Sequence, residues 1–294
     1  MAKDKYLCAN EECEHHDEEL GFPIINCIPV LISESRTDTV CSRVADKKYV
    51  DRSRFNLEFL KKFIIGESKT TKLNCRKFID ELIKVCDKPK VLVIGGGARG
   101  AGTDDLWSHP GVQIHSVDIY ASSTVDVVCD GHYLPLDSDY YDGVWIQAVL
   151  EHVVEPQKVV SEIYRVLKSG GLVYAETPFM QQVHEGAYDF TRFTVLGHRY
   201  LFKEFEMIKI GGNKGPELVL VWALRYFIWS LTRSRKIARL VGLGFGLLMR
   251  PFASLMSKAS MYDASSGVFF LGRKSESRST VSHKDLISLY KGQF

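Results

Sequence analysis

Two groups of residues in this 294-residue chain could do chemistry. The first is a glycine turn, Gly95, Gly97 and Gly100 in the spacing G-x-G-x-x-G, entered directly from the apolar run 91–94. Such glycines permit a sharp exit from a strand, leave no side chain between backbone and a bound nucleotide, and let the next segment pack on the sheet. Acids close the two following apolar runs. Asp118 could accept from ribose hydroxyls, and Asp130, with the Gly131 backbone, could face the exocyclic amine of an adenine. The second group lies in the loop 177–194, where His184, Tyr188, Asp189, Arg192 and Phe193 crowd together. Rings that stack on a sugar face, beside paired donors and acceptors, suit a polyol or glycosyl acceptor. His184 is the first choice for a base, because imidazole titrates at about pH 6.5, with His152 and Asp189 in reserve. The structural alternatives are that Asp189 and Arg192 pair only with each other, that Phe193 is core, and that His152 serves the helix start where it sits.

The elements that must position these groups alternate. Apolar runs at 90–94, 112–118, 125–129, 141–147 and 172–178 read as strands, each followed by a crossover, and 157–167 reads as a helix. This is the pattern of a doubly wound parallel α/β sheet with helices on both faces. Further strands are expected at 204–211 and 266–272, the last antiparallel, and helices at 54–65 and 72–86 should cover the sheet. Asp142, at the start of its strand, reads as a turn or capping residue.

Taken in order, the glycine turn, the acid at 118, the Asp130-Gly-x-x-Leu134-Pro135 box, the Leu150-Glu151-His152 segment and the Leu167-Lys-x-Gly-Gly171 turn resemble the class I S-adenosylmethionine-dependent methyltransferases, in particular their small-molecule and glycan branch. The resemblance covers roughly residues 75–212 plus a final strand, and implies a Rossmann-like sheet of seven strands with S-adenosylmethionine as cofactor. It further implies that Gly95 and Gly97 lie against the amino-acid part of the cofactor, Asp118 holds the ribose, Asp130 and Gly131 read the adenine, and Gln147 lines the methionine side. The stretch 188–194 also resembles a segment of methyltransferases of surface-glycan and lipid-linked sugar synthesis. The contact made by Arg99 is left open.

Composition agrees with a globular enzyme: 45% hydrophobic and 25% charged residues, a net charge of +2, and seven scattered cysteines. With no apolar leader before them, these cysteines point to a reducing, cytoplasmic setting. Residues 1–40 read as a small flap, because 22–32 resembles the end of a zinc-ribbon-like module in which Cys27 is usually glycine. Cys8, Cys13, His15 and His16 could together hold zinc, but the ligand pattern is incomplete and a metal-free flap is the simpler expectation. The enzyme domain is expected over 41–212 and 265–274, with a serine-rich, charged tail at 275–294 that ends in a short helix.

Between them, 213–264 is an insertion. Its stretch 218–262 carries seven basic residues and no acid, leaving −5 for the rest of a chain whose total is +2. Rich in Leu, Trp and Phe, it reads as two amphipathic helices on an anionic membrane surface. Its longest uncharged run has ten residues, 240–249, against about 20 for a span. Nucleic acid fits the charge but not the apolar bulk. The other reading is a lid or subunit contact with Trp222 and Trp229 as core, and oligomeric state is left open. The functional expectation is O-methylation of a sugar, glycan or lipid-linked acceptor. The alternatives are a nicotinamide-dependent sugar dehydrogenase or epimerase, superficially supported by Tyr164-x-x-x-Lys168, and a non-catalytic binding module.

Overall fold

A computed structural model describes residues 5–6, 21–32, 68–276 and 281–293. Its centre is a seven-stranded sheet. The parallel strands β4 (Lys90–Ile94), β5 (Gln113–Asp118), β6 (Val127–Val128), β7 (Tyr141–Gln147) and β8 (Leu167–Pro178) are joined by β9 (Phe205–Gly212) and β10 (Gly267–Lys274). The spatial order is β6-β5-β4-β7-β8-β10-β9, and β10 is antiparallel to both its neighbours. The expected sheet is therefore present, with an antiparallel last strand. The order reverses at β4, so a crevice opens at the carboxyl ends of β4 and β7, where such sheets bind ligands.

The apolar runs follow from burial on both faces. Along β4, Leu92 and Ile94 pack with Val159 and Ile163 of helix α3 (Pro156–Val166), while Val91 and Val93 pack with Phe78 and Leu82 of helix α1 (Lys69–Ile83). Phe78 meets Trp145 edge-on at 5.5 Å, a contact adding about 1 kcal/mol beyond burial. Gly143 makes room for it, since a Cβ there would lie 2.8 Å from the Phe78 ring. Helix α1 starts at Ser68, whose hydroxyl accepts the Thr71 N–H. Asp142 is structural, as expected: it accepts from the Lys90 N–H and pairs with Lys168 at 2.7 Å.

Several expectations need correction. The run 125–129 forms only the two-residue β6, because the chain turns away towards Asp130. The flap is a three-stranded sheet, β1 (Lys5–Tyr6), β2 (Phe22–Ile25) and β3 (Ile28–Pro29), bridged to β6 through Val30 and Val128. Cys27 turns this hairpin at φ +66°, a left-handed conformation that explains why glycine suits the position. Cys8, Cys13, His15 and His16, and the helix expected at 54–65, lie outside the described residues. The tail does end in the expected short helix, α8 (His283–Ser288), and is tied down just after it: the Tyr262 hydroxyl donates to the Leu289 carbonyl.

The insertion is a helical hairpin, α5 (Pro216–Thr232) and α6 (Arg235–Met249), turned at Arg233 with φ +53° and restarted by the Ser234 cap. Ala238, Gly242 and Gly246 are buried, and the stem of Arg225 lies across Gly242. Helix α5 departs from the amphipathic expectation. It carries one charged residue after its first turn, Arg225, with Leu220, Phe227 and Leu231 exposed on the outside.

Candidate active site

Three cavities meet at the crevice, and one side chain borders all of them: His184. The first, of about 360 Å³, is lined by Gly95, Asp118, Asp130, Gly131, Val149, His152 and Tyr188 among others. The backbone runs bare into it at Gly95, which has φ +78° and whose Cβ would fall 2.1 Å from Val149. Gly97 and Gly100 act one layer behind. A Cβ at Gly97 would lie 2.6 Å from Asp118 Oδ2, and one at Gly100 would meet Gln147. The Gly97 N–H donates to Asp118 Oδ2 at 2.7 Å and the Tyr120 N–H to Oδ1 at 3.1 Å. The Asp118 carboxylate is thus fixed at the end of β5, where it lines the cavity. Asp130 is buried and accepts the His132 N–H at 2.9 Å, with the imidazole Nδ1 at 2.7 Å. His132 Nε2 in turn accepts the Glu155 N–H, which fixes the ring as the Nδ1–H donor to Asp130. Two oriented acids on an otherwise largely apolar lining fit a nucleoside. Arg99 stacks over Trp107.

The second cavity, about 240 Å³, mixes polar and apolar walls, and Gln147 lines it. Gln147 donates to the Ala101 carbonyl at 3.3 Å, so it stands between the glycine turn and this space. Glu176 anchors the wall. Its carboxyl accepts from Thr71 at 2.8 Å, from Tyr174 at 2.7 Å and from Asn213, and burial raises its pKa. Sequence reasoning missed this network because residues 71, 176 and 213 are far apart in the chain and carry no local signature.

The loop after β8 supplies the remaining groups. His184 Nδ1 lies 3.2 Å from Asp189 Oδ2, while its Nε2 makes no hydrogen bond and stands 3.9 Å from Glu151. Burial and the neighbouring His152 lower the pKa of His184, and Asp189 partly opposes this, so the ring is a neutral imidazole near neutrality. His152 borders the first cavity, and its Nδ1 lies 2.6 Å from the Tyr188 carbonyl. Asp189, expected as a reserve base, is corrected to an orienting role: its bidentate pairing with Arg192 holds its pKa down at about 2, too low to take a proton from an alcohol. Arg192, expected against substrate, spends its donors on Asp189 and on the carbonyls of Gln181, Gln182 and Thr191. Phe193 is also displaced from the expected role, packing with the core cluster of Val195, Tyr262 and Val268. Tyr188 does reach the first cavity.

Glu151 is the residue whose importance the sequence concealed. It is 1% exposed, neither carboxyl oxygen has a hydrogen-bond partner, although Oε1 stands 3.6 Å from His152 Nε2 and 3.9 Å from His184 Nε2, and burial raises its pKa to about 8. With His152 and His184 it forms a group whose ligand atoms lie within 4.8 Å of one another. A carboxylate and two imidazoles can hold a divalent cation, but a carboxyl that keeps its proton near neutrality is a poor ligand. Tyr164 and Lys168 do not form a dehydrogenase pair: Tyr164 packs on Phe205 and Lys168 on Asp142.

Residues 92–175 match the family model described as a methyltransferase domain. No curated protein matches the chain significantly. Among solved structures, the chain is similar to phosphoethanolamine N-methyltransferase 2 of Haemonchus contortus in complex with S-adenosylmethionine, at 18% identity over 77% of this chain and 59% of that one, with a TM-score of 0.46. It is also similar to a S-adenosylmethionine-dependent methyltransferase from Archaeoglobus fulgidus, at 18% identity over 74% of this chain and 100% of that one, with a TM-score of 0.45. The stretch matched to the methyltransferase-domain model is the one that carries the glycine turn and the two oriented acids at the carboxyl edge of the sheet.

Proposed function

We propose that the chain is a S-adenosylmethionine-dependent O-methyltransferase acting on a sugar, glycan or lipid-linked acceptor, with His184 as general base. The cofactor is S-adenosylmethionine, held by Gly95, Asp118, Asp130 and Gly131. When bound it supplies an activated methyl group, so the protein must mainly align the acceptor, exclude water and accept one proton. The observation that carries the reading is the junction at His184. One imidazole borders the nucleoside cavity and both neighbouring spaces, with Asp189 on Nδ1 and Nε2 left unbonded. Asp189 accepts the His184 backbone N–H and places a carboxylate oxygen 3.2 Å from Nδ1, which favours the proton on that nitrogen and leaves Nε2 as the atom that receives the hydroxyl proton. Arg192 keeps Asp189 ionised throughout.

The setting is the surface of an anionic membrane. Helix α6 continues into a 3₁₀ turn, and the stretch Arg235–Ser254 is long and apolar enough by composition to cross a bilayer. Lying on the surface is the reading favoured here, because Arg235, Ala238 and Arg239 at the start of α6 line a cavity with His184 and cannot also sit within hydrocarbon. Leu231, Leu240 and Leu248 point outward, at 66%, 68% and 60% exposure, and would enter the interface.

Incubation with tritiated S-adenosylmethionine and a cell extract, followed by separation of lipid, glycan and protein fractions, tests the function. Label is expected in the lipid or glycan fraction and lost with Asp118→Ala. Label confined to protein or RNA would defeat the acceptor assignment. Binding of NAD in place of S-adenosylmethionine would favour the dehydrogenase, and cofactor binding without transfer would favour a non-catalytic module.

A further inference from the structure

The third cavity, about 440 Å³, lies between the His184 loop and the helical hairpin and is lined by Val183, His184, Gly186, Arg225, Tyr226, Trp229, Arg235, Ala238 and Arg239. Three arginines, from both helices of the hairpin, thus line one space, and no carboxylate lines it. Arg225 and Arg239 make no hydrogen bond or ion pair among the described residues, and Arg235 lies over the Trp229 ring at 4.9 Å. Glu185, the nearest acid in sequence, lines the nucleoside cavity instead. Like charges gathered without a counterion repel one another, and solvent only partly screens them. The arrangement becomes favourable when an anion of matching charge occupies the space, and planar guanidiniums match phosphoryl oxygens in pairs. A single carboxylate would leave two of the three charges uncompensated.

The cavity is built rather than incidental. The Tyr226 hydroxyl donates to the Val183 carbonyl at 2.9 Å, pinning the hairpin to the loop that carries the base. Tyr226 and Trp229 meet edge-on at 5.6 Å and form an aromatic wall. Ala238 is buried on α6, and Gly242 lets the Arg225 stem cross from α5. Because His184 borders both this space and the nucleoside cavity, a group held by the arginines presents its neighbouring atoms to the imidazole.

We infer that Arg225, Arg235 and Arg239 form an anion subsite that binds a phosphate or diphosphate group carried by the acceptor, anchoring it so that a hydroxyl further along reaches His184. The inference rests on the reading of the chain as a methyltransferase of such acceptors, and it specifies their chemistry: a phosphorylated, amphiphilic molecule whose apolar part follows the exposed side of the hairpin.

Inorganic pyrophosphate is the probe. Calorimetry on the full chain should show saturable, salt-sensitive binding, weakened about tenfold or more by R225Q/R239Q, with part of the affinity restored by R225K/R239K. Thermal melting of each variant confirms that it is folded, and titration with S-adenosylhomocysteine reads the nucleoside cavity separately. A folded protein that binds pyrophosphate through these arginines but ignores S-adenosylhomocysteine would keep the subsite and remove the methyltransferase reading. Normal S-adenosylhomocysteine binding with no pyrophosphate binding, or with binding indifferent to R225Q/R239Q, would overturn the subsite. Vesicles of phosphatidylglycerol in phosphatidylcholine separate the sources of phosphate. If pyrophosphate still binds at full affinity on the vesicle surface, the cavity serves the acceptor; if the vesicles displace it, the arginines are headgroup anchors and the assignment fails.

Discussion

Replacing Glu151 by Gln should change how stability depends on pH rather than stability at one pH. The native carboxyl is 1% exposed with neither oxygen hydrogen-bonded, and burial raises its pKa from 4.5 to about 8. A folded-state pKa above the unfolded value means that the native form holds more protons between those two values. Stability contributed by the protonated group is therefore full below the unfolded pKa and is lost as pH rises through the folded one. At about 1.4 kcal/mol per unit, the shift sets a ceiling of about 5 kcal/mol, reduced by any relaxation that admits water. Gln cannot ionise, so the stability difference between E151Q and the parent should move in favour of the variant by several kcal/mol between about pH 5 and about pH 9. The amide leaves its own donors unpartnered, which adds an offset independent of pH. Urea unfolding followed by tryptophan fluorescence, in chelator throughout, measures the difference, and contributions of other groups cancel between the two proteins. Parallel stability curves for E151Q and parent would refute the burial argument and leave Glu151 ionised in the native state.

The remaining predictions address the site directly. His184→Gln should lower kcat by about 100-fold or more with S-adenosylhomocysteine affinity kept, whereas Asp189→Asn should lower kcat less and move the pH profile; equal kcat in H184Q would remove the general base. Gly97→Ala should weaken S-adenosylhomocysteine binding measured by calorimetry, because its Cβ would lie 2.6 Å from Asp118 Oδ2 and the carboxylate would have to move. Leu240→Asp with Leu248→Asp should reduce sedimentation with anionic vesicles while S-adenosylhomocysteine binding stays intact; undiminished sedimentation would favour a lid or a subunit contact. Chelation with EDTA should leave methyl transfer unchanged, and loss restored by a divalent cation would assign the Glu151, His152 and His184 group to metal.

What could be read in advance was local in sequence. The glycine turn, Asp118 and Asp130 each sit at the end of an apolar run, and burial of a parallel strand on both faces writes that run into the chain. Gly95 lines the cavity because its left-handed backbone is needed immediately after β4. The roles that failed were those set by a partner elsewhere. Arg192 and Phe193 are the right types to meet a sugar, but Asp189 and three carbonyls claim the first and the Val195 cluster claims the second. Composition gave no means of ranking those partners against a substrate. Glu151 reads as an ordinary acid before a histidine until the loop 179–193 folds over it, where the Phe190 N–H donates to its carbonyl at 2.8 Å.

The same loop shows why the insertion belongs to the site. Its residues face three ways: Asp189, held by Arg192, accepts the His184 N–H from within, Tyr188 borders the nucleoside cavity, and Val183 accepts from Tyr226 of the hairpin. Nothing in the sheet itself holds Val183 against α5, so displacing the hairpin would free the segment that carries the base. Basic residues concentrated at 218–262 could have served only as a surface charge, and the chain gives no local sign that three of them, from two helices, would line one cavity with His184. Truncating the Tyr226 hydroxyl, as Tyr226→Phe, removes the one hydrogen bond that spans this junction among the described residues, at a cost of about 1 kcal/mol. Methyl transfer should fall in that variant while S-adenosylhomocysteine affinity holds, since the cavity built on β4, β5 and β7 is untouched. Equal loss of both would mean that the hairpin supports the nucleoside cavity as a whole, and the separation of cofactor side from acceptor side would fail.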